Sequence, residues 1–336
     1  MGIQSFTKVF APKRELKYSD LKGKNIVIDA RAEIYRCSLG IKLSENLTDA
    51  NGKPTTHINV ILLGVILKLK GCGANQFWVF DYMGDFDGDF HIQLKKSEID
   101  KRRKRREEAR QKIESQKKKE AQAERLFSSD DEDEKEPSDS IAKQAFYLEQ
   151  FYTDDIIFML NMLGIPWAIA PEGYEAEQIC AMSTEENIFG ELMDYVLTPD
   201  ADALPFGANK VIKRDTRKKK LYEYVLNDIL AENNISIDDL IKISLILGWE
   251  SVKKTPRIGP KTVLNKFRNV VLSDEQEQAF QFFKKKLTAD LSINNLDVEP
   301  FQDKEKYNEL LDWLELEKNF NRSRISAQFQ KNKLFL

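Results

Sequence analysis

The chain has 336 residues, of which 41% are hydrophobic, including 20 Phe; this is enough to bury a sizeable core in one large or two smaller domains. Its 52 Lys+Arg against 55 Asp+Glu leave a formal net charge of -3, an average that conceals strongly basic and strongly acidic regions. Three scattered cysteines (Cys37, Cys72, Cys180) exclude a disulfide framework and a cysteine-built zinc site, and no apolar run reaches the length of a membrane span.

The opening MGIQSFTKVF lacks a secretory pattern. Residues 24–30, KNIVIDA, read as a short buried strand ending in Asp29, and 58–71, INVILLGVILKLKG, as a buried helix. The next strand, QFWVFD, ends in Asp81. Apolar strands alternating with helix predict a mainly parallel sheet between helices, with further strands at 165–170 and 194–200. Such sheets place sites at the carboxyl ends of their strands. Asp29, Asp81 and Asp200 each end an apolar run there, and Glu175 and Glu177 follow the third strand.

Between Asp81 and the third strand the composition changes. Residues 95–125 carry fourteen basic and seven acidic side chains, which predicts a helix with little face to bury. SSDDEDEKEPSDS at 128–140 reads as a mobile acidic loop, and helix resumes from Ile141 to Leu163 with Phe146, Phe151 and Ile157 inward. A second basic block, ANKVIKRDTRKKK, spans 208–220. Two helices are expected over 221–247, the second opening at an N-cap Ser236, then a tight turn and helix over 255–267. Residues 273–320 read as amphipathic helix with one polar break, and FQKNKLFL as a loose tail. His57 caps or packs and His91 lies in a loop, neither with ligand-spaced partners; the DFDGDF run at 85–90 lacks the glycine and glutamate of a calcium loop.

TPDADALPFG places Asp200 and Asp202 on one face if the strand persists between them. Clustered carboxylates raise one another's pKa and so call for cations. Oxygen-only donors suit magnesium or manganese, and six or seven carboxylates suit two ions about 4 Å apart better than one. The basic blocks, with Lys253, Lys254, Arg257 and Lys261, point to a phosphodiester substrate.

Seven stretches resemble the flap endonuclease and XPG family of structure-specific 5′ nucleases: MGI, VIDARAEIY, WVFD, LKKSEIDKRRKRREEA, LGIPWAIAPEGYEAEQICA, LTPDADALPFG and LILGWESVKKTPRIGPKTV. They run in family order across residues 1–270. The resemblance implies an α/β, PIN-like core with a mainly parallel twisted sheet, a helical arch insertion and a helix–hairpin–helix element that grips duplex DNA. The nuclease body would then be residues 1–93 and 164–272, the arch 94–163, the hairpin element 236–268 and the C-terminal helices with their tail 273–336.

The resemblance also implies two Mg²⁺ or Mn²⁺ ions on Asp29, Asp81, Glu175, Glu177, Asp200, Asp202 and Glu250. Lys95 and Arg102 would act on the scissile phosphate, joining Asp29, Asp81 and Asp202 as catalytic residues, with Arg103 and Arg106 along the same helix. Tyr35 would stack on a base and Gly2 would pack beside the arch. Lys253, Lys254, Arg257, Gly259 and Lys261 would meet duplex at a turn whose carbonyls can hold K⁺. The implied activity is 5′ flap cleavage and 5′–3′ exonucleolysis of branched DNA by a monomer, in the nucleus or, for a large DNA virus, at a cytoplasmic replication site. No clear sliding-clamp motif is present; the short tail is a weak substitute.

Three positions depart from the family pattern. Glu250-Ser251 stands where the family has Asp-Tyr, Arg257-Ile258-Gly259 where it has Gly-Ile-Gly, and Asp81 lacks the following glycine, so Asp87-Gly88 is a rival match. The apolar strand ends at Asp81, which favours that residue. Arginine at the first hairpin position costs about 1 kcal/mol or more if positive φ is required. Junction, bubble or RNA-directed cleavage stays open, as does a catalytically inactive nucleic-acid-binding scaffold.

Overall fold

Alternating apolar side chains build the centre of the molecule. In the computed structural model the described residues are 3, 5–39, 47–49, 51–82, 103–115, 149–215, 218, 220–249 and 252–332. Eight strands form one sheet: β1 (Arg14–Leu16), β2 (Asn25–Asp29), β3 (Asn75–Phe80), β4 (Trp167–Ile169), β5 (Tyr195–Leu197), β6 (Lys210–Asp215), β7 (Lys220–Val225) and β8 (Ile293–Asn294). Their order is β1-β7-β6-β5-β2-β3-β4-β8, and the central five, β6 to β4, run parallel. Antiparallel β7, β1 and β8 complete the edges.

Successive strand residues face opposite sides, so each strand feeds two cores. Val27, Phe77, Val79, Val196 and Val211 pack with helices Ala176–Met182 and Ile237–Leu247. Ile26, Ile28, Trp78, Phe80, Leu197 and Ile212 pack on the other side with helices Ala30–Leu39 and Gln150–Leu163. β2, β3 and β4 are laid side by side in chain order, but β5 returns to the far side of β2. That reversal opens the crevice in which doubly wound sheets bind ligands.

The expected helix at 58–71 forms as three continuous pieces, Thr56–Ile61, a wider π turn Leu62–Ile66, and Leu67–Gly71. Within the π turn the Gly64 carbonyl accepts a hydrogen bond from Arg214 Nη1. Residues 103–115 are helical, and Ala109 is their one buried side chain, in keeping with a basic helix that has little to bury. Ser236 caps helix Ile237–Leu247 as expected, accepting from the Asp239 N–H at 3.1 Å while Asp239 accepts in return from Ser236 N–H.

Four expectations need correction. Residues 220–225 are strand, not helix: β6 and β7 form a hairpin, and only Leu226–Asn233 and Ile237–Leu247 are helical in the 221–247 region. The dense lysines and arginines disguised a strand pair in which Val211, Ile212, Leu221 and Tyr224 are buried. Phe151 and Ile157 are only half-buried; Tyr152, Ile156, Met159, Leu160 and Leu163 form the inner face of their helix. Residues 273–320 contain two helices, Asp274–Phe283 and Lys304–Leu316, separated by β8. The tail is not loose throughout, because Arg322–Lys331 is helical and fully buries Phe329. Phe146, His91, Asp87 and the acidic segment 128–140 lie outside the described residues.

Candidate active site

Only Asp29 and Asp81 sit where a strand stops: Glu175 and Glu177 come after β4 has ended at Ile169, and β5 ends at Leu197, so no strand persists between Asp200 and Asp202 as the sequence led us to expect. Asp29 is the last residue of β2, and its Oδ1 accepts from the Ala32 N–H at 3.1 Å, fixing the entry of helix Ala30–Leu39. Asp81 follows β3 and accepts from the Ala176 N–H at 3.1 Å, so the end of one strand caps the helix that follows the next. Glu175 is that helix's N-cap and Glu177 lies in its first turn. Beyond β5, Thr198 Oγ1 lies 3.5 Å from Asp29 Oδ2 and 3.4 Å from Glu177 Oε1, a single hydroxyl between two carboxylates. The Ala203 N–H donates to Glu177 Oε1 at 3.1 Å, and the Asp200 N–H to Thr198 Oγ1 at 3.2 Å.

Asp29, Glu177 and Asp202 are buried, whereas Asp81, Glu175 and Asp200 are half-buried. Burial first, then Asp81, Asp200 and Glu175, hold the Asp29 carboxyl well above the usual carboxylate range. Glu177 is raised in the same direction by burial and then by Asp202, Asp29, Asp200 and Glu175. All six acids therefore share one electrostatic field. Among the described residues no group of three is already disposed around one ion, and Asp29 and Glu177 have no ion-pair partner. Arg31 approaches Asp81 at 3.8 Å on the rim. Glu250, the seventh acid of the expected set, is outside the described residues, as are Lys95, Arg102 and Gly2.

Comparison with known proteins bears on what this edge is for. The XPG N-terminal domain family matches residues 1–109 and the XPG I-region family matches residues 164–250. The chain belongs to the XPG and flap endonuclease family of structure-specific 5′ nucleases. Flap endonuclease 1 of Methanococcus aeolicus is 30% identical over 278 residues, covering 82% of this chain and 76% of the relative. Flap endonuclease 1 of Cryptosporidium parvum is 28% identical over 375 residues, covering 99% of this chain and 70% of its own. The solved flap endonuclease-1 of Methanococcus jannaschii shares the fold, with a TM-score of 0.66, 23% identity and 98% coverage of both chains. The catalytic core of Rad2 with DNA substrate superposes with a TM-score of 0.65 at 18% identity, covering 98% of this chain and 100% of that one.

Around this XPG-family edge the structure also shows residues that the sequence pattern did not single out. Lys213 was counted within a basic block, yet it sits beside the acids: Leu197 pairs with Ile212 in the sheet, so Lys213 is level with Thr198. Burial lowers its pKa, while Asp200, Glu177 and Asp202 pull the other way. Arg214, the next residue, faces the opposite side and ion-pairs with Glu33, so it is not a free phosphate ligand. Trp249 donates from its indole nitrogen to Asp202 Oδ2 at 2.7 Å. A lone tryptophan after a helix reads as core, so only the structure reveals that contact.

The basic residues separate by exposure. Arg103 is exposed and Arg106 half-buried on the 103–115 helix; Tyr35 is half-buried on helix Ala30–Leu39. Lys253, Lys254, Arg257 and Lys261 are exposed around the 256–262 turn, with no carboxylate at ion-pair distance among the described residues. Arg257 does adopt φ 62°, the left-handed conformation that favours glycine at this family position. Gly259 lies within the turn, bonded to the residues that follow it. Its N–H donates to Thr262 Oγ1 at 3.2 Å, and its carbonyl accepts from the N–H groups of Thr262 (2.9 Å) and Val263 (3.0 Å).

Proposed function

We propose that this XPG-family chain is a divalent-metal-dependent 5′ flap endonuclease and 5′–3′ exonuclease that hydrolyses DNA where single strand meets duplex. The observation that carries the reading is the pair Asp29 and Glu177, buried and raised in pKa by neighbouring acids, with only neutral hydrogen-bond donors around them. The donor set fits hard cations: Asp29, Asp81, Glu175, Glu177, Asp200 and Asp202, with Glu250 as a seventh, would hold two Mg²⁺ or Mn²⁺ ions that supply an activated water and stabilise the leaving oxygen.

The chain's own groups then divide the work. Thr198 Oγ1 lies between Asp29 and Glu177 and donates its one proton to either, and the Ala176 and Ala32 N–H groups keep Asp81 and Asp29 turned to the edge. In this reading Lys95 and Arg102 engage the scissile phosphate, Arg103 and Arg106 continue a basic lining of the arch, and Tyr35 stacks on a base. Gly2 leaves room for the chain start beside the arch. Residues 1–93 and 164–272 make the nuclease body, 94–163 the arch and 236–268 the duplex grip. Lys253, Lys254, Arg257 and Lys261 hold duplex through their charged heads, with Gly259 in the same turn, whose carbonyls can hold K⁺.

A panel of 5′-flap, nicked, gapped, bubble, four-way junction and RNA substrates with Mg²⁺ tests the proposal. The expected result is cutting at the flap junction, lost on chelation and lost in Asp202→Ala with flap binding retained. Preference for a junction or bubble would move the substrate within the family, and no cutting with Mg²⁺ or Mn²⁺ would overturn the reading.

A further inference from the structure

We propose that Trp249 is a positioning residue for the acid cluster, its indole N–H fixing the carboxylate of Asp202; this rests on the metal-nuclease reading above. Asp202 is 3% exposed, and both its oxygens are held. Trp249 Nε1 donates to Oδ2 at 2.7 Å, and the Ile3 N–H donates to Oδ1 at 2.8 Å. Both donors are neutral.

The indole itself has little freedom. Its ring centroid lies 4.7 Å from Phe283, 6.0 Å from Phe282 and 6.4 Å from Phe206, and the residue is 4% exposed. Its backbone bridges Ile3 on one side and Val252 on the other. Gly248, just before it, takes φ 99° and lies so close to Lys254 that a Cβ would come within 3.1 Å of that side chain. Phe206 also donates its N–H to the Asp202 carbonyl at 3.1 Å, so the same ring cluster braces the loop from both ends. Asp202 is thereby pinned between the start of the chain and the turn after helix Ile237–Leu247. Remote donors that orient metal-binding carboxylates are worth about ten- to a hundredfold in affinity or activity.

Trp249→Phe keeps a ring in the aromatic cluster and removes the N–H. With the full-length chain, Mn²⁺ binding is measured by calorimetry and 5′-flap cleavage across a Mg²⁺ titration. The expected variant binds Mn²⁺ about tenfold or more weakly and needs correspondingly more Mg²⁺, with kcat lowered and KM for the flap within about twofold of the parent. Melting of the metal-free variant and a cycle with Asp202→Asn separate positioning from filling. If Trp249 acts through Asp202, adding Trp249→Phe to Asp202→Asn changes Mn²⁺ affinity by less than about twofold. Unchanged Mn²⁺ affinity in the single variant, additive losses in the double variant, or a lower melting temperature alone would each overturn the proposal. A parent chain that neither binds Mn²⁺ nor cuts DNA would instead bring down the nuclease reading and this proposal with it; a competent parent matched by Trp249→Phe removes this proposal alone.

Discussion

Two groups of buried charge lie one helical turn apart and behave in opposite ways. Asp29 ends β2 among other acids; Glu33, four residues on, is buried against Arg36 and Arg214, with Arg36 Nε 3.1 Å from its Oε2. A second balanced group stands further along, where Asp155 binds His57 Nε2 at 3.0 Å and Lys318 at 2.7 Å. Balanced groups join elements: Glu33 ties helix Ala30–Leu39 to β6, and Asp155 ties helix Gln150–Leu163 to Lys318, two residues past helix Lys304–Leu316. The acid edge instead concentrates carboxylates: Arg31 reaches only Asp81 at the rim and Lys213 stands beside the cluster, yet Asp29 and Glu177 keep pKa values raised by their acidic neighbours. Burial alone does not separate the two groups; among the described residues Glu33 has ion-pair partners at contact distance, whereas Asp29 and Glu177 have none.

The sharpest break of this contrast is catalytic. Asp29→Asn or Glu177→Gln lowers flap cleavage by about a thousandfold, the equivalent of several kcal/mol of lost transition-state stabilisation, with flap binding little changed in gel shifts. Comparable energy appears as stability at the balanced group: Glu33→Ala strands the Arg214 guanidinium in the interior, frees half-buried Arg36, and costs about 3–5 kcal/mol in denaturant melts. Asp29→Asn in metal-free protein has the opposite sign and leaves stability equal or higher, so equal losses for the two variants would erase the distinction.

A pH series sharpens it further. Asp29 and Glu177 have folded pKa values raised above their unfolded ones. Their contribution is fully present below the ordinary carboxylate range and is lost as pH rises through the raised values. Metal-free protein therefore loses stability over that interval, and saturating Mg²⁺ restores more at pH 8 than at pH 5.5. A hundredfold excess over Kd contributes about 2.7 kcal/mol. Calorimetric melts with and without Mg²⁺ check the sign. The smallest effect is at the turn. Arg257→Gly relieves the φ 62° conformation and stabilises the fold by about 1 kcal/mol in thermal melts, while weakening duplex binding at low salt.

Much of this arrangement was legible in the residues. β2 and β3 announced themselves as apolar runs, and an acid closing each run is a signal that needs no structure. β6 and β7 escaped notice because KVIKRD and KLYEYV bury only part of their side chains while lysines and arginines crowd the rest. A run of bases looks alike whether its members reach solvent or, like Arg214, enter a core. Composition could not tell Lys213 from Arg214 either, because neighbouring strand residues face opposite sides. Trp249 was hidden for another reason: its apolar ring explains its burial, and only the direction of one N–H gives it a second role.

The return of β5 to the far side of β2 has a consequence for the making of the protein. Asp29 emerges early in synthesis, but Glu177 and Asp202 lie some 150 residues or more downstream, and the Trp249 clasp further still. A nascent or proteolysed chain that ends before these segments has Asp29 and Asp81 but not the acids that complete the edge. The cluster is thus assembled only when the central sheet is closed, and the order of the strands decides when that happens.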